Sequence, residues 1–229
     1  MTDAPRIVDL SHPLEPGMPS YPGLPTPEFN VFRAHGNPED QKSYAPGTTF
    51  EIASYAIGGN TGTYVDAPYH RDASGADFLA LDLARLVDLP GLLVRAPADG
   101  VISAGTLAGL PLRGRAVLLH TGWSRLWGGS GYFHSGPFLG VEAAGFLAQE
   151  GAVLVGIDCA NIDDMKDKAR PAHTTLLRAG IPIVEHLRGL DCLEGRDFRF
   201  FAAPPAIRRG TSFPVRAFAL CGPGGPQRR

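Results

Sequence analysis

Residues 141–158 read Val-Glu-Ala-Ala-Gly-Phe-Leu-Ala-Gln-Glu-Gly-Ala-Val-Leu-Val-Gly-Ile-Asp, and this stretch decides the fold class. Its first part, 141–150, has apolar residues at helical spacing and is followed by Gly151, a residue that commonly ends a helix. Its second part, 153–158, is a continuous apolar run of the kind found in strands buried on both faces. A helix followed by such a strand is typical of layered α/β proteins.

Similar segments on either side extend this pattern. Residues 116–120 form another continuous apolar run, which predicts a buried strand that leads into a polar loop. Residues 172–179 have helical character, and 181–185 follow as a strand. Residues 50–57 alternate apolar with polar or small side chains, which predicts a half-buried strand. Further strands are predicted at 7–11, 28–33, 92–94, 198–202 and 215–220, and short helices at 79–89, ended by Pro90-Gly91, and at 101–109.

The N-terminal part of the chain is rich in proline between Pro13 and Pro27. Proline removes an amide donor and fixes φ, so this track can be neither a helix nor a central strand, and we expect an extended arm. Residues 34–47 are predicted to be loop. We therefore expect a single domain, with an arm and loops over 1–47 and a core over 48–229.

The overall composition excludes several classes of function. The chain has 229 residues, a hydrophobic fraction of 44% and a formal charge of -2, without a basic stripe that would gather phosphates, so nucleic acid is not an expected partner. No apolar run reaches the roughly 20 residues of a membrane span, and the N-terminus lacks a signal-peptide pattern, so we expect a cytoplasmic protein without membrane contact. Three scattered cysteines argue against disulfides and thiolate metal clusters.

A polar, glycine-bearing segment at 58–70 concentrates reactive groups and is predicted to be an active-site loop. Tyr64, Asp66 and His70 place a phenol, a carboxylate and an imidazole within seven positions. The glycines at 58, 59 and 62 permit sharp bends or close approach to a ligand. Taken alone, Asp-x-x-x-His is also compatible with an ordinary surface turn, so the rest of the chain must decide.

Several segments along the chain form an ordered set of motifs. They are Asp9-Leu10-Ser11 with Tyr21-Pro22-Gly23, residues 61–70, 118–123 and 156–158, His173 with Leu176-Leu177, and residues 180–185 and 214–217. Together they resemble the cyclase and kynurenine formamidase family, which is arylformamidase-like. The resemblance covers most of the chain. It implies a swivelling β/β/α fold with a mixed sheet, and a homodimer or homotetramer.

The family motif His-x-Gly-Thr-His-x-Asp-x-Pro-x-His implies a divalent metal centre, usually zinc or manganese, together with a later histidine and glutamate. The corresponding ligand positions in this chain are Asn60, Tyr64, Asp66, His173 and Glu185, so two ligand histidines are replaced. His70 aligns with the acid/base histidine of the family and is intact.

These replacements change the expected chemistry of the centre. Asn60 offers only a weak amide oxygen, and Tyr64 would have to lose a proton with a reference pKa of about 10. Ligand type therefore favours a site without a cofactor. The open alternative is one divalent ion, Zn²⁺ or Mn²⁺, held by Asp66, His173 and Glu185.

Without a metal, the same side chains could still move protons. The base would be either His70 or one of the carboxylates of Asp66 and Glu185, with His173 beside them. Tyr64 would donate a hydrogen bond to an oxyanion, and Asn60 would bind a substrate carbonyl. Ring closure is easier than amide hydrolysis without activated water, because the nucleophile is tethered. We therefore expect a lyase or isomerase that catalyses ring closure, dehydration or isomerisation of a small carbonyl compound. The alternatives are a metal-dependent hydrolase of an aryl formamide or cyclic amide, and a non-catalytic binding protein.

Aromatic residues offer candidate contacts to a small, aromatic substrate. Tyr21 and Trp123 lie in the family-like segments and are predicted to bind it together with Asn60. The segment containing Trp123, Trp127, Tyr132, Phe133 and Phe138 is compatible either with a lid or with a core or subunit interface. The charged residues between 163 and 170 are predicted to form a solvated loop.

Overall fold

A nine-stranded mixed sheet forms the centre of the protein, in a computed structural model that describes residues 6–222. Its order is β1-β13-β11-β5-β7-β9-β10-β4-β12. The strands are β1 Arg6–Asp9, β4 Tyr64–Asp66, β5 Leu89–Arg95, β7 Ala116–His120, β9 Leu154–Ile157, β10 Ile183–Glu185, β11 Phe198–Phe201, β12 Ser212–Pro214 and β13 Phe218–Cys221. The four central strands, β5, β7, β9 and β10, run parallel, and antiparallel strands flank them.

Two layers of side chains cover the sheet and account for the continuous apolar runs. The helices are α1 Pro38–Ser43, α2 Ala104–Leu107, α3 Val141–Gln149 and α4 Pro171–Arg178, with short 3-10 turns at Pro68–His70, Leu83–Arg85, Trp123–Leu126 and Leu190–Leu193. α3 and α4 pack in one apolar cluster with Val117, Val155 and Ile183, and a second cluster includes Leu118, Leu154 and Val184. Successive strand residues thus point into opposite layers, as α/β architecture requires. The predicted α/β fold with a mixed sheet is confirmed.

The predicted helix over 79–89 is wrong, since this segment contains only the 3-10 turn Leu83–Arg85. Pro90-Gly91, predicted to end that helix, lies inside the strand Leu89–Arg95. A Cβ atom on Gly91 would lie 1.9 Å from the Phe198 ring, so this glycine provides space for packing between neighbouring strands.

Two other segments also differ from their predictions. The prediction of a loop over 34–47 is wrong for α1, whose first turn is capped by the Asn37 side chain accepting from the amide of Glu39. Residues 101–109 hold a short strand, β6 Val101–Ile102, before the single turn of α2. β6 pairs with β8 Phe138–Leu139 in a separate two-stranded sheet.

A third sheet is the hairpin of β2 Glu28–Arg33 and β3 Ile52–Ala56. The strand at 28–33 is confirmed, and the strand predicted at 50–57 is present as β3. Its predicted half-burial is wrong, because β3 is largely exposed. Residues 10–27 form the irregular arm that the prolines predicted, linked to the main body by a bridge between Ser11 and Leu187. The division at residue 47 stays a prediction. Among residues 6–222, no helix has the length and apolarity that crossing a bilayer demands.

Candidate active site

Strand β4 brings the reactive residues of the 58–70 segment into the main sheet. It lies between β10 and β12, with Tyr64 opposite Glu185 and Asp66 opposite both Ile183 and Ser212. The prediction of a loop throughout 58–70 is therefore wrong for Tyr64–Asp66, which form β4. The sheet register brings Tyr64 and Glu185 together although 121 positions separate them in sequence.

The glycines before β4 serve close backbone packing. Gly62 has a φ of 62°, a conformation that favours glycine, and a Cβ atom there would lie 2.5 Å from the Leu14 side chain. A Cβ atom on Gly59 would lie 2.5 Å from the carbonyl oxygen of Ser212. The close approach predicted for these glycines is thus made to other parts of the protein.

His173, on the first turn of α4, is held in one orientation by Asp163. Its Nδ1 lies 2.6 Å from Asp163 Oδ2, and its backbone amide donates to the same oxygen at 3.1 Å. The amide of Ala172 donates to Asp163 Oδ1 at 2.6 Å. His173 Nε2 consequently faces two carboxylates, at 3.5 Å from Asp66 Oδ2 and 3.6 Å from Glu185 Oε1.

Glu185 is fully buried, and both of its oxygens accept hydrogen bonds. Oε1 accepts from the amide of Ile162 at 2.5 Å, and Oε2 accepts from the Tyr64 hydroxyl in a short hydrogen bond. Burial, with the carboxylate of Asp66 adding to it, raises the pKa of Glu185 to about 7 although His173 opposes this shift. Burial and the two carboxylates raise the pKa of Tyr64 well above its ordinary value, so Tyr64 is a neutral phenol.

The protonation of His173 depends on its anionic neighbours. Burial alone would lower its pKa, but the carboxylate of Glu185 opposes that effect, as do the hydrogen bond to Asp163 and the nearby carboxylate of Asp66. The net result is a pKa of about 10. Without a bound ion, His173 is therefore an imidazolium between carboxylates at neutral pH.

His70 presents a neutral imidazole to the same cluster. Its Nδ1 lies 3.3 Å from Ser212 Oγ, and that hydroxyl donates its only proton to Asp66 Oδ1 in a short hydrogen bond. The hydroxyl can then only accept from His70, which places the proton on Nδ1 and leaves a lone pair on Nε2. Burial lowers the pKa of His70, which keeps the ring neutral.

A cavity of about 330 Å³ opens onto this cluster. It is lined by Tyr21, Pro22, Gly23, Leu24, Asn60, Tyr64, His70, Arg71, Asn161, Arg170 and His173. Two of the predicted substrate contacts, Tyr21 and Asn60, therefore border it. Trp123, the third, does not line this cavity: its Nε1 donates to the carbonyl oxygen of Tyr132 at 3.1 Å.

The rest of the aromatic segment packs against the protein, as the core alternative predicted. Trp127 stacks on His12 with ring centroids 4.0 Å apart. Tyr132 is fully buried and contacts both Trp127 and His186. These contacts give the segment a structural role behind Tyr64.

The cluster has the chemistry of a site for one divalent ion. Asp66, His70 and His173 each offer one ligand atom, and these atoms lie within 4.8 Å of one another. Asp66 Oδ2 is buried and has no hydrogen-bond partner within the described chain. One carboxylate with two imidazoles is a ligand set found in catalytic zinc sites.

The structure differs from the predicted ion set of Asp66, His173 and Glu185. It groups His70 with Asp66 and His173, while both oxygens of Glu185 are engaged by Ile162 and Tyr64. A second ion position does not fit, because Tyr64 is a protonated phenol bonded to Glu185. The residues therefore suit one ion.

Sequence reasoning missed two residues of the cluster, Asp163 and Ser212. The prediction of a solvated charged loop between 163 and 170 is wrong for Asp163, because Asp163 is only 2% exposed and binds His173. Ser212 reaches Asp66 across 146 positions of sequence. A local pattern could have revealed neither contact, since both depend on how distant segments pack.

Comparison with known proteins agrees with the fold and identifies the family. A family model, Cyclase, described as "Putative cyclase", matches residues 8–164. Among curated proteins, the kynurenine formamidase of Geobacillus thermodenitrificans (strain NG80-2) is 30% identical over 212 residues, which cover 92% of this chain and 95% of that protein.

Solved structures show the same architecture over nearly the whole chain. Isatin hydrolase A from Ralstonia solanacearum is 25% identical with a TM-score of 0.78, covering 94% of this chain and 92% of that one. A "predicted metal-dependent hydrolase" from Bacillus stearothermophilus is 27% identical with a TM-score of 0.73, covering 94% and 98%.

Proposed function

Since the chain belongs to the cyclase family, we propose that it is a hydrolase that cleaves the amide bond of an aryl formamide or of a cyclic aryl amide. The names of its curated and structural relatives support this alternative over the ring-closing lyase or isomerase predicted from the sequence. The non-catalytic alternative is not retained, because the perturbed acid and base groups converge beside a cavity.

The observation that carries the proposal is the meeting of Asp66, His70 and His173: the two histidines line the cavity, and Asp66 Oδ2 is buried beside them with no hydrogen-bond partner among the described residues, its nearest cationic group being His173 Nε2 at 3.5 Å. These residues would hold one Zn²⁺ or Mn²⁺. Such an ion polarises a carbonyl and lowers the pKa of water, which is the help that hydrolysis of an unactivated amide requires.

Asp163 and Ser212 are proposed to prepare the two histidines for that role. The hydrogen bond from Nδ1 to Asp163 holds the His173 ring so that Nε2 points at Asp66. Since His173 is protonated without an ion, its ligand role requires release of that proton. Ser212 does the equivalent for His70 by accepting from Nδ1 and leaving Nε2 available.

Proton transfer is assigned to Tyr64 and Glu185. Glu185 has a pKa of about 7, which suits a group that takes up and returns a proton at neutral pH. It does not line the cavity, whereas Tyr64 does and donates its hydroxyl proton to Glu185. A proton leaving the attacking water would therefore reach Glu185 through the Tyr64 hydroxyl, and would return by the same route to the leaving nitrogen.

His70 is the residue whose assignment changes with this proposal. The sequence predicted it as the acid or base, and its free Nε2 would suit that role without an ion. Both oxygens of Glu185 already accept hydrogen bonds and Glu185 does not line the cavity, so His70, which does, is the better ligand. Glu185 keeps the proton-transfer role through its hydrogen bond with Tyr64. Asn60, at the cavity wall, remains the proposed partner of the substrate carbonyl.

The test uses protein loaded with Zn²⁺ or Mn²⁺ and two simple substrates. Formanilide is incubated with the protein, and formate and aniline are measured, while ring opening of isatin is followed by absorbance. We expect stoichiometric formate and aniline, or ring opening of isatin. The proposal is wrong if neither amide is cleaved and the protein instead closes the ring of an open-chain carbonyl compound.

A further inference from the structure

Two arginines, Arg71 and Arg170, line the cavity beside the acidic cluster. Neither forms an ion pair with a carboxylate within the part of the chain that the structure describes. Other arginines of the protein do so, as Arg216 does with Asp9 at 2.8 Å. Two half-buried guanidinium groups therefore face the cavity without a neutralising anion among residues 6–222.

Neutral groups hold Arg170 in place. Its Nη1 donates to the carbonyl oxygen of Asp164 at 3.0 Å and approaches Asn161 Oδ1 at 3.5 Å, while Nη2 donates to the Tyr21 hydroxyl at 3.0 Å. These contacts use three of the five N–H donors of the guanidinium. The remaining donors and the full positive charge are available to a ligand.

Arg71 is placed on the same wall by a contact to the segment that carries Arg170. Its Nη2 donates to the carbonyl oxygen of Ala169 at 3.1 Å, directly before Arg170 in the chain. Arg71 also follows His70, and Arg170 lies three positions before His173. Both guanidinium groups are therefore attached to segments that carry the proposed ligands of the ion.

From this placement we propose that Arg71 and Arg170, with the Tyr21 hydroxyl, bind a carboxylate of the substrate. The proposal rests on the proposed function and narrows its substrate class to aryl amides that carry a carboxylate. Guanidinium groups match carboxylates with paired, charge-assisted hydrogen bonds. A carboxylate held by these two guanidinium groups leaves the rest of the substrate, with its amide, inside the same cavity, whose wall also includes Tyr64, His70 and His173.

The test compares two substrates with the same scissile bond, formanilide and 3-formamidobenzoate, which differ by one carboxylate. We expect the wild-type protein to favour 3-formamidobenzoate by about tenfold or more in kcat/KM, as one charge-assisted hydrogen bond can provide. Arg71→Gln should remove most of this preference, because kcat/KM should fall much more for 3-formamidobenzoate than for formanilide, which lacks the carboxylate. The matched control is Arg178→Gln, because Arg178 is an exposed arginine on α4 that does not line the cavity.

Arg170 also donates a hydrogen bond to Tyr21 in the N-terminal arm, so the test variant at this position must retain the positive charge. Arg170→Lys keeps the charge but loses the paired donors, and it should raise KM for 3-formamidobenzoate with little change in kcat. A preference that Arg71→Gln and Arg170→Lys leave intact would overturn the proposal. So would an equal loss on both substrates, which would indicate a purely structural role.

Benzoate binding separates this inference from the proposed hydrolysis. By calorimetry, benzoate should bind the wild-type and Arg178→Gln proteins and bind Arg71→Gln at least about tenfold more weakly. If neither amide is cleaved but this pattern holds, the carboxylate site stands and the hydrolase proposal fails. If formanilide is cleaved and benzoate binds all three proteins equally, the carboxylate site fails and the hydrolase proposal stands.

Discussion

Replacing Asp163 with asparagine should disrupt the candidate site without touching the cavity wall. Asp163 Oδ1 accepts from the amide of Ala172, and Oδ2 accepts from the amide and the Nδ1 of His173. Whichever way the new amide is flipped, its NH2 group meets an N–H donor. The variant therefore loses either the hydrogen bond from the amide of Ala172 or those from the amide and Nδ1 of His173.

The size of the effect follows from these contacts. A hydrogen bond to a buried charge contributes about 1.5–3 kcal/mol, and a helix cap about 1 kcal/mol. Together they predict a loss of about 3 kcal/mol of stability, or a fall in Tm of about 6–12 °C for a chain of this size. Mutation of a residue that is hydrogen-bonded to a metal ligand typically weakens metal affinity about 10–100-fold. At limiting metal, kcat/KM of Asp163→Asn for an aryl formamide should therefore fall by a similar factor.

The neighbouring residue provides a matched control. Asp164→Asn makes the same change of charge, but the Asp164 carboxylate accepts from the amide of Lys166 and, among the described contacts, does not reach His173. Thermal unfolding and formate release are measured for both variants and the wild type. If Asp163→Asn and Asp164→Asn behave alike, Asp163 does not support His173 and the description of the site is wrong.

Two further predictions concern the protonated groups of the cluster. Tyr64→Phe removes the hydroxyl that donates to Glu185 Oε2, so we expect a loss of about 1–3 kcal/mol in urea unfolding and a higher pKa of Glu185 in the pH–rate profile. An unchanged profile would contradict the relay through Tyr64. In the ion-free protein, the pKa of Glu185 is raised from 4.5 to about 7 and that of His173 from 6.5 to about 10, so the native state binds more protons than the unfolded state. Their stabilising contributions are complete below the unfolded values and are lost as pH rises through the folded ones. Burial lowers the pKa values of His12 and His186 to about 3 and about 4, which has the opposite effect below roughly pH 7, so Tm of chelator-treated protein should fall above that pH, between roughly pH 7 and 9. A Tm that rises over this range would contradict the assigned shifts.

The elements that sequence reasoning predicted best are those whose burial leaves a mark on local composition. Residues 116–120 and 154–157 are covered by side chains on both faces of the sheet, and their continuous apolar runs record this directly. The helix at 141–149 shows its buried stripe in the same way. Strand β4 lacks a continuous apolar run, because its buried residues include Tyr64 and Asp66, which carry polar groups.

One error could have been avoided with the same sequence. The loop prediction for 34–47 overlooks Asn37-Pro38-Glu39-Asp40, in which asparagine at the cap, proline at the first helical position and acidic residues in the first turn favour a helix start. The error at Pro90-Gly91 is different in kind. Gly91 is required because the Phe198 ring from a distant strand occupies the space of its side chain, and no local pattern reveals this.

The site also contains residues that the sequence predicts and residues that only tertiary contacts reveal. Asp66 and His70 follow from the residue types of the 58–70 segment, His173 and Glu185 follow from the family resemblance, and the structure places all four close together. Their supporting partners, Asp163 and Ser212, were not predicted, because those contacts depend on tertiary approach. Which carboxylate or imidazole is free to bind an ion also follows only from the hydrogen bonds.

The central claim is that one divalent ion bound through Asp66 drives amide hydrolysis. The most direct test measures metal content and formate release from formanilide for the wild type, Asp66→Asn and the exposed control Asp82→Asn, whose side chain accepts from the amide of Ala84 at the start of a surface turn. We predict one ion per chain and equal rates for the wild type and Asp82→Asn, with both ion and activity lost in Asp66→Asn. Full activity of Asp66→Asn without a bound ion would contradict the account.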